Sequence, residues 1–140
     1  MIPQAASFPF IETNPAHGAV SLLPVLPLAL AHQEQSVSVM GTLDTASTVN
    51  VLPYNVGLQL GFAWEEQGMS VRLTGNLAAL EARAVLVTGI VGSFPPVRLA
   101  FAWTKATAAP LLLGQVNFFM EFDVCVFRSQ GVFEVKPKQK

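Results

Sequence analysis

Cysteine occurs once in the 140 residues, at position 125. No intrachain disulfide and no cysteine-built metal cage can form, so Cys125 is expected to be a buried, inert thiol. Histidine occurs only as His17 and His32, with no second cluster of ligating side chains beside either, and a zinc site is not expected. Charge is equally scarce: 12% of residues carry it, the net is −1, and no basic residue precedes Arg72. Nucleic acid is excluded as a partner, because phosphate recognition needs a basic face and the only lysine cluster is the short segment at 136–140. The apolar run at residues 22–31 is too short to cross a bilayer and has no basic residue ahead of it, so neither a membrane span nor a cleaved leader is expected. The expected setting is cytoplasmic.

Apolar side chains are abundant, at 51% of the chain. That is enough for one well-filled domain with a surface so poor in charge that part of it is expected to be covered by a partner. Three prolines and no period mark residues 1–18 as an irregular arm. Residues 19–31 and 36–43 read as a hairpin around the polar turn 32–35, with the first segment a proline-interrupted edge strand. Strand signals recur at 49–52, 69–73, 81–87, 97–103, 122–127 and 131–135, and the segment 53–61 offers a short helical turn at most. Val116, Phe119 and Met120 fall at helical spacing, so 115–121 is expected to form two helical turns with a shared buried face. Residues 19–135 are read as one mostly β domain and 136–140 as a solvated basic tail.

The chain is organised around residues 40–53, where Asp44 interrupts an apolar, β-branched run. A carboxylate there is costly to ionise unless hydrogen bonds or a second titrating group meet it. The plain reading is a turn in which Asp44 bonds its own backbone. Two strand-like flanks and the hydroxyls of Thr45, Ser47 and Thr48 point instead to a structured loop beside the core.

The stretch Leu43-Asp44-Thr45-Ala46-Ser47-Thr48-Val49-Asn50-Val51-Leu52 resembles the active-site signature of the retropepsin-like aspartic proteases. So does Pro110-Leu111-Leu112-Leu113-Gly114-Gln115-Val116-Asn117-Phe118-Phe119, which is similar to the apolar, Gly and short-helix element near that family's C-terminus. The resemblance covers roughly residues 19–135. It implies an acid-protease closed β-barrel with one short C-terminal helix, working as a homodimer on a peptide or protein substrate without cofactor or metal. By the same resemblance, Asp44 is the catalytic residue, Thr45, Ala46 and Ser47 support its loop, and Leu113 and Gly114 are the structural signature. Leu73, Thr74, Gly75, Asn76 and Leu77 would form the flap over bound peptide, and Val49, Val51, Leu73 and Leu77 would give apolar walls. The chain departs from the family at Ala46, where the family has Gly, at Ser47, where it commonly has Ala, and at Gln115, where Arg is frequent.

Aspartic proteolysis needs two carboxylates about 3 Å apart sharing one proton, since two such close charges cannot both ionise. The chain has only Asp44 and Asp123, and Asp123 stands between Phe122 and Val124 without a hydroxyl-rich loop. The second carboxylate is therefore expected from Asp44 of another copy, near a two-fold axis. One Asp44 would act as general base toward a water and the other, protonated, would polarise the scissile carbonyl, with Thr45 bracing the loop across the dimer. The alternatives are a non-cleaving homodimer that binds peptides or scaffolds a complex, and an unrelated small β-barrel binding module.

Overall fold

Period-two alternation with turn punctuation becomes a barrel in the computed structural model, which describes residues 4–13 and 21–139. In chain order the strands are β1 (Ala6–Pro9), β2 (Ile11–Thr13), β3 (Ser21–Leu23), β4 (Val25–His32), β5 (Gln35–Leu43), β6 (Asn50–Leu52), β7 (Ser70–Arg72), β8 (Glu81–Ile90), β9 (Val97–Thr104), β10 (Leu112–Leu113), β11 (Phe122–Phe127) and β12 (Val132–Pro137). Two short helices join them, α1 (Tyr54–Gln59) and α2 (Phe118–Glu121). The main sheet runs β4-β5-β10-β6-β9-β8-β7, and pairing of β4 with β8 closes its first six strands into a barrel, leaving β7 as an appendage on β8. Closure removes the sheet edges that an open form would expose.

β10 lies between β5, to which it is parallel, and β6, to which it is antiparallel. The connection from β5 to β6 must therefore arch over the end of a strand that arrives from far along the chain. That arch carries Asp44.

Two apolar clusters fill the fold. The larger one surrounds Trp103, which is fully buried, stacks on Tyr54 at 5.5 Å and donates its indole N–H to the Tyr54 carbonyl. Helix α1 reaches this ring through Gly57, where an added Cβ would fall 2.1 Å from Trp103 Nε1. The smaller cluster is aliphatic: Val51, Leu73, Ala82 and Ala102 are buried, and Val49, Val71, Leu77, Leu80 and Leu112 pack around them. It joins the β7–β8 hairpin to the strands beneath Asp44.

Several expectations need correction. Residues 1–18 are not an irregular arm where they are described: β1 pairs antiparallel with β12, and β2 with β3, because Phe8 and Phe10 find partners on the ring of Phe133. Residues 1–3 and 14–20 lie outside the described residues. The expected first strand is broken at Pro24 into β3 and β4; Pro27 sits where β4 pairs only with β5, and the following residues pair on both sides. The basic segment at 136–140 is not simply a solvated tail, since Lys136 and Pro137 belong to β12 and Lys138 bonds Glu121 at 2.6 Å. Residues 115–121 yield one short helix, α2, rather than two turns, with Phe118 buried while Val116 and Met120 are exposed. Cys125 is exposed on β11, not buried, because β11 ends a three-stranded sheet with β12 and β1 and shows one face to solvent.

Candidate active site

Asp44 leaves β5 with its amide donating to the Leu113 carbonyl at 3.0 Å, and its own carbonyl accepts from the Ser47 amide at 3.1 Å. One carboxylate oxygen, Oδ1, accepts from the Ala46 amide at 2.9 Å. The turn reading of Asp44 is thus correct as local geometry. It does not exhaust the residue, because Asp44 is half-buried and lines a cleft of about 520 Å³.

The loop is fixed by the segment after β10. Gln115 and Val116 donate their amides to the carbonyls of Ser47 and Thr48 at 2.9 and 3.0 Å, and Asn50 returns one to the Val116 carbonyl at 2.9 Å. The Gln115 side chain donates to the Thr45 carbonyl at 2.6 Å. Between these contacts passes Gly114, where a Cβ would stand 2.3 Å from the Val49 carbonyl oxygen and 2.7 Å from that of Ser47. No side chain fits in such a gap, so glycine is required there by close approach of two backbones.

Asn50 anchors this assembly from within. It is completely buried; its Oδ1 accepts from the Gly114 amide at 2.7 Å and its Nδ2 donates to the Ala100 carbonyl at 2.9 Å. Nδ2 also reaches Asn117 Oδ1 at 3.3 Å, and Asn117 in turn bonds the Ala100 amide and the Arg98 carbonyl. The two amide side chains knit β6, β9 and the chain after β10 into one frame, and a buried polar group so fully partnered fixes geometry rather than weakening the core.

Across the cleft stand Thr74, Gly75, Asn76 and Leu77, at the tip of the β7–β8 hairpin, and Pro110 and Leu112 line the remaining wall. The structure therefore brings Asp44, Ala46 and Ser47 together with four of the five expected flap residues. Leu73 is not a cleft wall: it is 3% exposed in the smaller apolar cluster. Val51 is 1% exposed and likewise belongs to the smaller apolar cluster, all three residues of β6 being buried. Leu113 is buried with its carbonyl on Asp44. Thr45 is exposed and meets the rest of the chain through its carbonyl, while the Ser47 hydroxyl bonds the Val49 carbonyl at 2.7 Å rather than the carboxylate. Ala46 has no strained backbone, since Gln33 is the sole non-glycine with positive φ among the described residues. What its side chain changes is the cleft, which its methyl group lines.

Asp123 pairs with Lys136 in the β11–β12 register, on a sheet outside the barrel, and does not join Asp44. Among the described residues no group of three or more His, Cys, Asp or Glu side chains can hold a metal ion. Sequence reading missed Asn50, Asn117, Pro110 and Leu112. Asn50 did carry a signal, a lone amide inside the apolar run Val49-Asn50-Val51-Leu52, where a buried polar side chain must have partners.

No family model matches this chain, and no curated protein does. Among solved structures it is similar to a retropepsin-like aspartic protease from Rickettsia conorii, with a TM-score of 0.65 over 96% of this chain and 92% of that one, at 13% identity. The likeness is one of fold.

Proposed function

We propose that this chain is an aspartic endopeptidase, active as a homodimer in which each copy contributes Asp44. The observation that carries the reading is a cleft with a carboxylate held by a firmly bonded loop on one wall and a hairpin tip on the other, lined by no second carboxylate among the described residues. A lone Asp44 cannot divide the roles of base and acid, whereas two related by a two-fold axis share one proton and do both. The ionised Asp44 takes a proton from a bound water as it attacks the peptide carbonyl; the protonated one donates its hydrogen bond to the carbonyl oxygen. Thr45, exposed beside the cleft, braces the partner's loop.

Surface features support self-association. Among the described residues the outer edge of β11 has no strand beside it, and Val126 and Phe127 on that strand are 56% and 39% exposed. Val116 and Met120, next to the chain that fixes the Asp44 loop, are 50% and 60% exposed. Apolar side chains along an unpaired edge are costly for a monomer in water and favour a second copy.

A second reading rests on Ala46, whose methyl group occupies cleft space that the resembled family leaves to glycine. It is a homodimer that holds peptides in the cleft without cutting them.

The test is digestion of an unbiased peptide pool by the wild type and by Asp44→Asn, read by mass spectrometry from mildly acid to neutral pH, with the association state followed by sedimentation. The endopeptidase reading expects the variant to stay dimeric and lose at least about 10³-fold in rate. A dimeric wild type that retains peptides but never cuts them sinks it in favour of the second reading, and then Ala46→Gly is the variant in which cleavage should appear. A monomer at all concentrations sinks both.

A further inference from the structure

β11 is the outermost strand of the β1-β12-β11 sheet, and among the described residues nothing pairs with its far side. The pairing with β12 decides which backbone groups face that side. The Lys138 amide donates to the Glu121 carbonyl at 3.0 Å, one step beyond the Phe122–Pro137 pair, so the mutually bonded positions of this antiparallel ladder are Asp123, Cys125 and Phe127. The alternation on β12 agrees: the Gly131 carbonyl accepts from Phe10 at 2.8 Å, on the side of β1. Phe122, Val124 and Val126 therefore turn N–H and C=O outward.

Not all of these groups are free. The Phe122 amide already donates to the Phe118 carbonyl at the end of α2, which leaves only its carbonyl. Arg128, next in the same alternation, is the converse case, since its carbonyl accepts from Gly131 at 3.0 Å and its amide remains. Val124 and Val126 keep both groups. Along the edge the free groups thus run acceptor, donor with acceptor, donor with acceptor, donor.

We propose that this edge is the seam of the homodimer, joined antiparallel by a second copy of itself with the two-fold axis passing beside Cys125. The inference rests on the homodimer reading above and names the surface that makes it. In that register Val124 exchanges both bonds with the partner's Val126, and the Phe122 carbonyl accepts from the partner's Arg128 amide. Moving the axis to Val124 sets the Val126 carbonyl against the occupied Phe122 amide. Moving it to Val126 sets the Val124 amide against the occupied Arg128 carbonyl. Only the register centred on Cys125 pairs every free group, and it covers Val126, an apolar side chain left exposed in the single copy. β11 follows directly on α2, and Gln115 and Val116 ahead of α2 bond the Asp44 loop, so the seam continues the strip of chain that holds the carboxylate.

The same register brings Cys125 opposite the partner's Cys125 in a pair without mutual backbone bonds, with Cα atoms about 4.5 Å apart, a separation that a disulfide spans. The chain has one cysteine, so a covalent dimer can form only there. The test is incubation of the full chain with oxidised glutathione, whose disulfide is exchanged for one between the two Cys125 sulfurs with release of two reduced glutathiones, read on a non-reducing gel beside sedimentation of the reduced protein. A disulfide-linked dimer is expected wherever the reduced protein already sediments as a dimer. Val126→Pro removes only an outward N–H and should raise the dissociation constant of the reduced dimer at least about tenfold. The register is read in a Cys125→Ser background carrying either Asp123→Cys or Phe127→Cys: neither variant should cross-link to itself, and an equal mixture of the two should. A sedimenting dimer that never cross-links through Cys125, a mixture that fails to cross-link, an unchanged dissociation constant in Val126→Pro, or a monomer at all concentrations overturns the proposal. No readout involves peptide, so an active Asp44 pair joined through another surface sinks the seam alone, and an inactive dimer cross-linked at Cys125 sinks the endopeptidase reading alone.

Discussion

The two walls of the cleft are built in opposite ways. The Asp44 loop is bonded to a distant part of the chain at Leu113, Gln115 and Val116 and rests on the buried amide of Asn50. Among the described residues the tip facing it bonds only to itself: Leu77 to Thr74, Ala78 to Gly75 and Leu80 to Leu77. Thr74, Gly75 and Asn76 are exposed, and just Leu77 and Leu80 reach down to the small aliphatic cluster. In the endopeptidase reading proposed above, a carboxylate that must meet another at hydrogen-bond distance has to be positioned before substrate arrives, whereas a roof must open to admit it. Low local stability is what opening requires, and a tip with few buried contacts and no hydrogen bonds outward supplies it.

The comparison breaks most sharply at Gly114. Gly114→Ala drives a methyl group into two backbone carbonyls and should cost about 4 kcal/mol in urea unfolding, with any cleavage lost as the loop is displaced. Asn50→Ala leaves the Gly114 amide and the Ala100 carbonyl unpaired in the core, and about 3 kcal/mol is expected by the same measurement. Leu73→Ala, under the tip, should cost about 2 kcal/mol while leaving the Asp44 amide as protected as before. Asn76→Ala should change stability by less than about 0.5 kcal/mol, any effect being confined to turnover of peptides. Hydrogen exchange on the unaltered protein sharpens the contrast: the Asp44 amide, bonded to Leu113, should exchange at least about 10³-fold more slowly than that of Leu77. Equal rates would mean that the two walls are equally ordered.

Much of the strand pairing was legible along the chain. The β4–β5 hairpin, the β7–β8 pair and the terminal β11–β12 hairpin join neighbours in sequence, so alternation and turn residues suffice to find them. The strands of the first residues were not legible, because three- and four-residue segments acquire strand character only from the partner they meet, here β12 and β3. Helical spacing misled at Val116 and Met120: the segment turns at Asn117 to serve the Ala100 and Arg98 backbone, and its periodicity never becomes a buried face. Leu73 and Val51 were misplaced for a related reason, since apolar character does not distinguish the lining of a cleft from the core beneath it.

What the sequence determined alone is local in origin: a mostly β chain, a lone acidic residue at the exit of a strand, a hairpin after it, and a Leu-Gly pair far downstream. Hydrophobic period, turn chemistry and residue counts contain that much, because each depends on residues close together in the chain. Tertiary structure alone decided that β10 runs between β5 and β6, that Gly114 passes beneath the Asp44 loop with no room for a side chain, and that Asn50 reaches it with a hydrogen bond of 2.7 Å. Those facts concern pairs separated by some sixty residues or more, Asn50 and Gly114 among them. Whether such groups touch is fixed by the closure of the barrel and the need of every buried amide for a partner, which no local pattern encodes.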